Sequence, residues 1–120
     1  MGSYRNLEVY AKSMDLALAV YKLTDGFPSR EQYGLTAQMR RCAVSIPSNL
    51  AEGHSRNSTQ EFIRFLNIAN GSLSELETQL EIAHRLGYYE NFSTYTDQIR
   101  HVRSMLINLI KALKAKNEAN

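Results

Sequence analysis

The sequence has a single cysteine, two prolines and no tryptophan in 120 residues. Because a disulfide needs two thiols, Cys42 can form none within the chain, and this composition fits a reducing compartment. Uninterrupted apolar runs of about 18 residues are absent, and the N-terminus lacks an apolar signal segment. We therefore expect a cytoplasmic protein that makes no use of a membrane.

Catalytic motifs are also missing. The sequence has no phosphate-binding loop, dinucleotide fingerprint, His-Glu-x-x-His helix or nucleophile elbow. Glu81 and His84 have the Glu-x-x-His spacing of di-iron bundles, but neither His54 nor His101 follows a glutamate at that spacing. We expect His84 at the surface or the core boundary, and a protein that is not an enzyme and uses no metal or cofactor.

The few prolines and glycines leave four long segments in which apolar residues recur every three or four positions. This spacing predicts an all-α fold with one domain over residues 1–120. We expect helices at about 7–24, 30–52, 59–86 and 93–116. Because short connections place consecutive helices antiparallel, the predicted architecture is an up-down-up-down four-helix bundle.

The expected core stripes follow from the same spacing. In the first helix the stripe is Leu7, Tyr10, Met14, Ala17, Leu18 and Tyr21. In the second it is Leu35, Met39, Cys42, Ile46 and Leu50, with Cys42 as an unreactive core thiol. In the third it is Phe62, Leu66, Ala69, Leu73, Leu76, Leu80 and Ala83, an unbroken heptad series. In the fourth it is Tyr95, Ile99, Val102, Leu106, Leu109 and Leu113.

Local signals predict the helix ends. Asn6 is the expected N-cap of the first helix, and capping boxes are expected at Ser29–Gln32 and Ser58–Glu61. Gly53 and Gly87 are the expected stops of the second and third helices. Pro47 is expected to kink the second helix, where Ser45, Ser48 and Asn49 could bond the freed backbone groups.

Charge is unevenly distributed although the net charge is only +2. Residues 30–57 and 91–120 carry +2 and +3, whereas residues 58–90 carry −3. At 100° per residue, four cations of the last helix fall within an arc of about 80°: Arg100, Arg103, Lys111 and Lys114. This arc is either a solvated face that complements the helix dipole or an anion-binding strip.

Small residues mark the outer face of the second helix: Ala37, Val44, Ser48 and Ala51. Scattered exposed apolar residues are common by chance, but a small-residue face also allows another chain to approach closely. We interpret this face as an oligomer interface. Gly71 and Ser72 weaken the third helix in its middle, which also suits the close approach of another helix.

Several runs are similar to a known family: Glu31-Gln32-Tyr33-Gly34-Leu35, Ser45-Ile46-Pro47-Ser48-Asn49-Leu50-Ala51-Glu52-Gly53 and Phe62-Ile63-Arg64-Phe65-Leu66. The chain resembles the bacterial four-helix-bundle proteins encoded in intervening sequences of 23S ribosomal RNA genes. That family includes the accessory protein of diversity-generating retroelements. The resemblance implies a homopentamer without known enzymatic activity. For the retroelement branch it also implies a basic surface that contacts nucleic acid and a reverse transcriptase.

Two main hypotheses for function follow. In the first, the chain is an oligomeric adaptor that binds RNA or DNA non-specifically, alone or with a reverse transcriptase. Its phosphate contacts would be Arg100, Arg103, Lys111 and Lys114, joined by Arg40, Arg41, Arg56 and Arg64. In the alternative, it is a protein-interaction scaffold without direct nucleic-acid contact, since most aromatic residues lie near the seams rather than free to stack on bases. A third, weaker hypothesis is a metal or small-molecule enzyme.

Overall fold

The computed structural model describes residues 3–119, without the side chains of Asn6 and Ala119, and Met1, Gly2 and Asn120 of the predicted domain lie outside it. Within the described range the only regular elements are helices. Four are long: α1 (Glu8–Thr24), α2 (Leu35–His54), α3 (Thr59–Arg85) and α4 (Phe92–Ala119). Two short 3-10 helices, Tyr4–Asn6 and Ser29–Glu31, precede α1 and α2. The predicted all-α fold with four helices is confirmed.

Each long helix packs against the next along the chain, and α4 returns to pack against α1. The connections are short, so neighbours run antiparallel, and the bundle measures 51 × 23 × 20 Å. The tightest packing joins α2 to α3, and the loosest of the four contacts joins α1 to α4. None of the four helices described is both long enough and apolar enough to cross a bilayer.

The core confirms the predicted stripes of α2 and α3. Met39, Cys42, Ile46 and Leu50 of α2 are buried, and Leu35, the first residue of the predicted stripe, is half-buried. All seven positions of the α3 heptad series are buried too. In α4, Ile99, Val102 and Leu106 are buried as expected, while Ile110 is buried more deeply than its neighbour Leu109.

The predicted core stripe of α1 is largely wrong. Only Ala17 of that stripe is fully buried, whereas Met14, Leu18 and Tyr21 are exposed. The buried face instead consists of Val9, Ser13, Leu16, Ala17, Val20 and Thr24. The helix has two apolar stripes, and the one that contains Met14, Leu18 and Tyr21 faces outward.

Several helix ends differ from the prediction. The N-cap of α1 is Leu7, which makes no side-chain cap, and Asn6 lies in the preceding 3-10 helix. Helix α2 begins at Leu35 rather than near Ser29, and Glu31 Oε1 accepts a hydrogen bond from Leu35 N at 3.3 Å. A carboxylate upstream thus replaces the expected capping box.

The C-terminus of α2 and both ends of α3 are set by packing and capping. Helix α2 continues past Gly53, which is buried, and ends at His54. Ser58 Oγ accepts from Glu61 N at 3.2 Å, which confirms the predicted cap of α3. Gly87 has φ +81°, and its N–H donates to the His84 carbonyl at 2.9 Å, as in a Schellman ending.

Pro47 lies inside α2, and the helix continues through it. Beside the proline, Asn49 Nδ2 donates to Ser45 O at 2.7 Å, and Ser45 Oγ donates to Cys42 O at 2.7 Å. Neither bond reaches Ala43 O, the carbonyl that loses its usual donor at Pro47. The compensation predicted for Ser45, Ser48 and Asn49 is therefore not confirmed. The expected kink at Pro47 stays a prediction.

Candidate functional site

Two of the four cations predicted on α4 contact carboxylates. The Arg100 guanidinium lies 2.9 Å from Asp97 Oδ1, three residues earlier on the same exposed surface. Arg103 is half-buried, and its Nη2 donates to Glu77 Oε1 at 2.9 Å and to Ser74 Oγ at 3.2 Å. Arg103 therefore braces α4 against α3.

Three predicted cations have no such partner. Lys111 and Lys114 of α4 and Arg41 of α2 are exposed. Among the residues from 3 to 119 whose side chains are described, no carboxylate oxygen lies within 4 Å of their charged nitrogens. Lys111 and Lys114 lie on the C-terminal half of α4.

Arg40 is a structural clamp between α1 and α2. Its Nη2 lies 2.9 Å from Asp25 Oδ1, and its Nε donates to Thr24 Oγ1 at 2.8 Å. The guanidinium also lies 4.7 Å from the centroid of the Tyr21 ring. These contacts anchor the C-terminus of α1.

Arg56 and Arg64 share one aromatic ring. Their guanidinium carbons lie 5.2 and 4.6 Å from the centroid of Phe65. Each also pairs with a nearby carboxylate, Arg56 with Glu52 at 2.8 Å and Arg64 with Glu61 at 3.0 Å. This arrangement shields the buried Phe65 at the end of the bundle.

Five of the eight predicted cations thus contact a carboxylate. An exposed ion pair contributes only about 0–1 kcal/mol, so a phosphate can displace it. The neighbouring carboxylates nevertheless lower the positive charge that a phosphate meets. Among the eight predicted cations, the unpaired charge is therefore that of Lys111 and Lys114 on the C-terminal half of α4 and of Arg41 on α2.

An apolar groove of about 300 Å³ runs between α1 and α2. Three residues of the predicted oligomer face line it, Val44, Ser48 and Ala51, while Ala37 lies half-buried on the same helix outside the lining. The α1 side is larger and more apolar, and Leu18 is 64% exposed. The lining from α1 is Tyr10, Met14, Ala17, Leu18 and Tyr21.

The buried stripe of α1 contains two hydroxyl side chains. Ser13 Oγ donates to Tyr10 O at 2.9 Å and Thr24 Oγ1 donates to Val20 O at 2.8 Å. Because both hydroxyls are satisfied by their own helix, the stripe that contains them can be buried. The Met14, Leu18 and Tyr21 side chains are then left on the surface beside α2.

A polar groove of about 300 Å³ lies on the other side of α2, against α3. Arg41 and Glu75 are its charged residues, and both are exposed. The buried Gln79 Oε1 has no hydrogen-bond partner among the described residues. The remaining lining is Gln38, Cys42, Ser45 and Ser72.

Cys42 is a packing residue in this groove. Its Sγ donates to Ser72 O at 3.0 Å. Burial raises the pKa of the thiol to about 11, and the nearby Glu75 carboxylate contributes to the rise. The reactive thiolate is therefore scarce at neutral pH.

The Glu-x-x-His pair is used structurally. Glu81 pairs with Arg85 at 2.7 Å, and His84 stacks on Phe92 with ring centroids 5.0 Å apart. His84 Nδ1 lies 3.1 Å from the Tyr89 carbonyl, at the core boundary as predicted. The described residues contain no group of three or more histidine, cysteine, aspartate or glutamate side chains arranged for a metal.

Comparison with known proteins identifies the family. A family model described as 23S rRNA-intervening sequence protein matches residues 5–108. The chain belongs to this family. No curated protein matches the chain. A solved structure from Bacteroides thetaiotaomicron, described as a protein with unknown function from the S23 ribosomal protein family, is similar at 26% identity and a TM-score of 0.79. The match covers 86% of this chain and 95% of that one.

In this member of the 23S rRNA-intervening sequence protein family, sequence reasoning missed the α1 half of the apolar groove. It assigned Met14, Leu18 and Tyr21 to the core, because a heptad-like stripe does not reveal which neighbour covers it. It also missed the bond from Tyr88 to Glu31, where the phenol donates to Oε2 at 2.7 Å. That bond links residues 57 positions apart in sequence, and no local pattern signals it.

Proposed function

We propose that this chain is a non-catalytic scaffold that assembles with further copies of itself through the groove between α1 and α2. The observation that carries the proposal is the exposed apolar stripe of α1 beside the small residues of α2. Leu18, Met14, Tyr21 and Val44 are all more than a third exposed along this one groove. Clustered apolar surface of this kind marks interaction sites rather than ordinary solvated surface.

Self-association would bury this stripe. Covering a large apolar side chain that is otherwise exposed contributes about 1.5–3 kcal/mol. The small side chains of Ser48 and Ala51 leave space for a neighbouring helix on the opposite wall of the groove. The homopentamer implied by the family resemblance is one closed assembly of this type, and its subunit number is part of the proposal.

Sedimentation velocity of the purified chain tests this proposal. We expect a mass several times the 13.7 kDa of one chain. Leu18→Gln should shift the assembly toward monomer because it places an amide in the apolar contact. Ile107→Gln on α4 is the matched control, since Ile107 is also exposed but lies outside the groove. A wild-type chain that stays monomeric at high micromolar concentration would contradict the proposal.

Nucleic-acid binding is the second candidate, favoured by the unpaired lysines of α4. Lys111 and Lys114 lie in the segment of highest positive charge, with Lys116 two residues beyond Lys114. They would hold phosphates of RNA or DNA non-specifically, and the release of counterions would dominate the affinity. Fluorescence polarisation with labelled RNA and DNA should show binding that weakens steeply with salt; salt-independent binding would contradict this candidate. A reverse transcriptase as partner stays a prediction, as does a cytoplasmic location.

A further inference from the structure

The polar groove between α2 and α3 is formed by two rows of side chains on neighbouring helices. Each row has spacings of three and four, which place its residues on one side of a helix. The α2 row is Gln38, Arg41 and Ser45, and the α3 row is Ser72, Glu75 and Gln79. The buried Cys42 joins the two helices, since its Sγ donates to Ser72 O at 3.0 Å. Every other residue of the lining has a polar side chain.

Arg41 and Glu75 bring opposite charges to this groove without forming an ion pair. Both side chains are exposed. In the part of the chain that the structure describes, neither has an oppositely charged atom within 4 Å. A guanidinium and a carboxylate in this arrangement can hold the two ends of one molecule that carries both charges.

The uncharged residues of the groove contribute further hydrogen-bond acceptors. Gln79 Oε1 is buried and has no donor among the described residues, which is unfavourable for an amide oxygen. A rotation of the Gln79 side chain would turn this oxygen into the groove. Ser45 Oγ already donates its proton to Cys42 O at 2.7 Å, so its oxygen is left as an acceptor. Glu75, Gln79 and Ser45 together suit a ligand with several N–H groups.

The volume of the groove sets the size of the ligand. The groove measures about 300 Å³. A water molecule in the liquid occupies about 30 Å³, so the groove has room for about ten non-hydrogen atoms. An α-amino acid has this size, and it carries a carboxylate beside an ammonium group.

We propose that the groove between α2 and α3 binds a small zwitterion of the α-amino acid class, with its carboxylate on Arg41 and its ammonium group on Glu75 and Gln79. A guanidinium binds a carboxylate through two parallel hydrogen bonds. An ammonium group has three donors, enough for Glu75 and for the unpaired oxygen of Gln79. The site lies on the opposite side of α2 from the apolar groove, so this inference does not depend on self-association.

Nuclear magnetic resonance titration of the full chain with glycine, L-alanine, L-serine and L-glutamine tests the site. At least one of these probes should bind saturably and shift the side-chain amide signals of Gln38 and Gln79. Analogues of that probe that lack the ammonium group or the carboxylate, which for L-alanine are propionate and ethylamine, should bind at least about tenfold more weakly. Failure of all four amino acids to bind, or equal affinity for an analogue with one charge, would overturn the inference.

Two substitutions locate the binding. Arg41→Gln and Glu75→Gln each remove one exposed charge from the groove and should weaken binding of the amino acid by at least about tenfold. Circular dichroism should show that both variants keep the helical fold. Lys22→Gln and Glu90→Gln are the matched controls, because both residues are exposed and lie outside the lining, and they should leave the affinity unchanged. Wild-type affinity in both groove variants, or equal losses in the controls, would place the ligand elsewhere and overturn the inference.

Discussion

Gly53 of α2 packs directly against Phe65 of α3, and a Cβ at position 53 would lie 2.6 Å from the Cβ of Phe65. Real Cβ atoms do not approach this closely, and the Phe65 Cβ is fixed to its own helix backbone. The two helices therefore pack at this distance because residue 53 has no side chain. This contact lies in the tightest helix pair of the bundle.

Gly53→Ala should destabilise the fold despite the better helix propensity of alanine. Overpacking of this kind costs about 1–3 kcal/mol, more than the gain of roughly 0.5–1 kcal/mol from replacing glycine in a helix. Gly71→Ala is the matched control, since its Cβ meets nothing, and it should raise the free energy of unfolding of the single chain. Urea unfolding, at a protein concentration that keeps the chain monomeric, measures the free energy of unfolding of both variants. Equal effects of the two substitutions would contradict the close contact at Gly53.

Arg103 and Arg100 should differ in their effect on stability. Arg103→Gln removes a half-buried bridge between α3 and α4, and we expect the free energy of unfolding to fall by about 1 kcal/mol. Arg100→Gln removes an exposed ion pair within one helix and should change the free energy of unfolding by less than about 0.5 kcal/mol. Chemical denaturation of the two variants checks the order, and a larger loss for Arg100→Gln would contradict the bracing role of Arg103.

The helices that the sequence predicts best are those with one apolar face. Helix α3 has an unbroken apolar heptad series, so its buried side could be assigned without the structure. Helix α1 has Leu16 and Val20 on one side and Met14 and Leu18 on the other. A single sequence cannot tell which of two apolar stripes faces the chain's own core, and we assigned the wrong one.

The candidate site was predictable only within single helices. Helical geometry is regular, so spacing alone groups the four cations of α4 within one arc, and that grouping stays a prediction. The pairing of Arg64 with Glu61, three residues away on one helix, also follows from spacing that the sequence contains. The contact of Arg103 with Glu77 joins two helices and depends on their relative register, which no local pattern determines.

The bond between Tyr88 and Glu31 predicts a pH-dependent contribution to stability. The hydrogen bond from Tyr88 lowers the pKa of Glu31 below its usual value and raises the pKa of the Tyr88 phenol above its own. A depressed carboxyl pKa contributes stability above the unfolded pKa, and this contribution is lost as pH falls through the folded pKa. The raised phenol pKa contributes stability that is lost only in strongly alkaline solution.

Tyr88→Phe isolates this contribution. The variant should melt at a lower temperature than wild type near pH 7, and the difference should shrink in acid, as the pH falls through the lowered pKa of Glu31 and the carboxylate takes up a proton. Tyr33→Phe is a suitable control because Tyr33 is 90% exposed. Thermal unfolding followed by circular dichroism across this pH range measures both. If the difference in melting temperature between wild type and Tyr88→Phe does not change with pH, the Tyr88 hydroxyl stabilises the fold independently of the charge on Glu31.

Lys111 and Lys114 should account for more of any nucleic-acid affinity than the paired arginines. In binding that depends on counterion release, each lost phosphate contact reduces the slope of log K against log salt by about 0.9 on duplex DNA. Lys111→Gln with Lys114→Gln should therefore lower this slope by about 1.8 and weaken binding uniformly across sequences. Arg40→Gln with Arg64→Gln removes the same charge from positions that already contact carboxylates and should change the slope less. Equal losses in the two double variants would mean that the ion pairs seen at Asp25 and Glu61 open freely for phosphate, and that the whole predicted set of cations contributes.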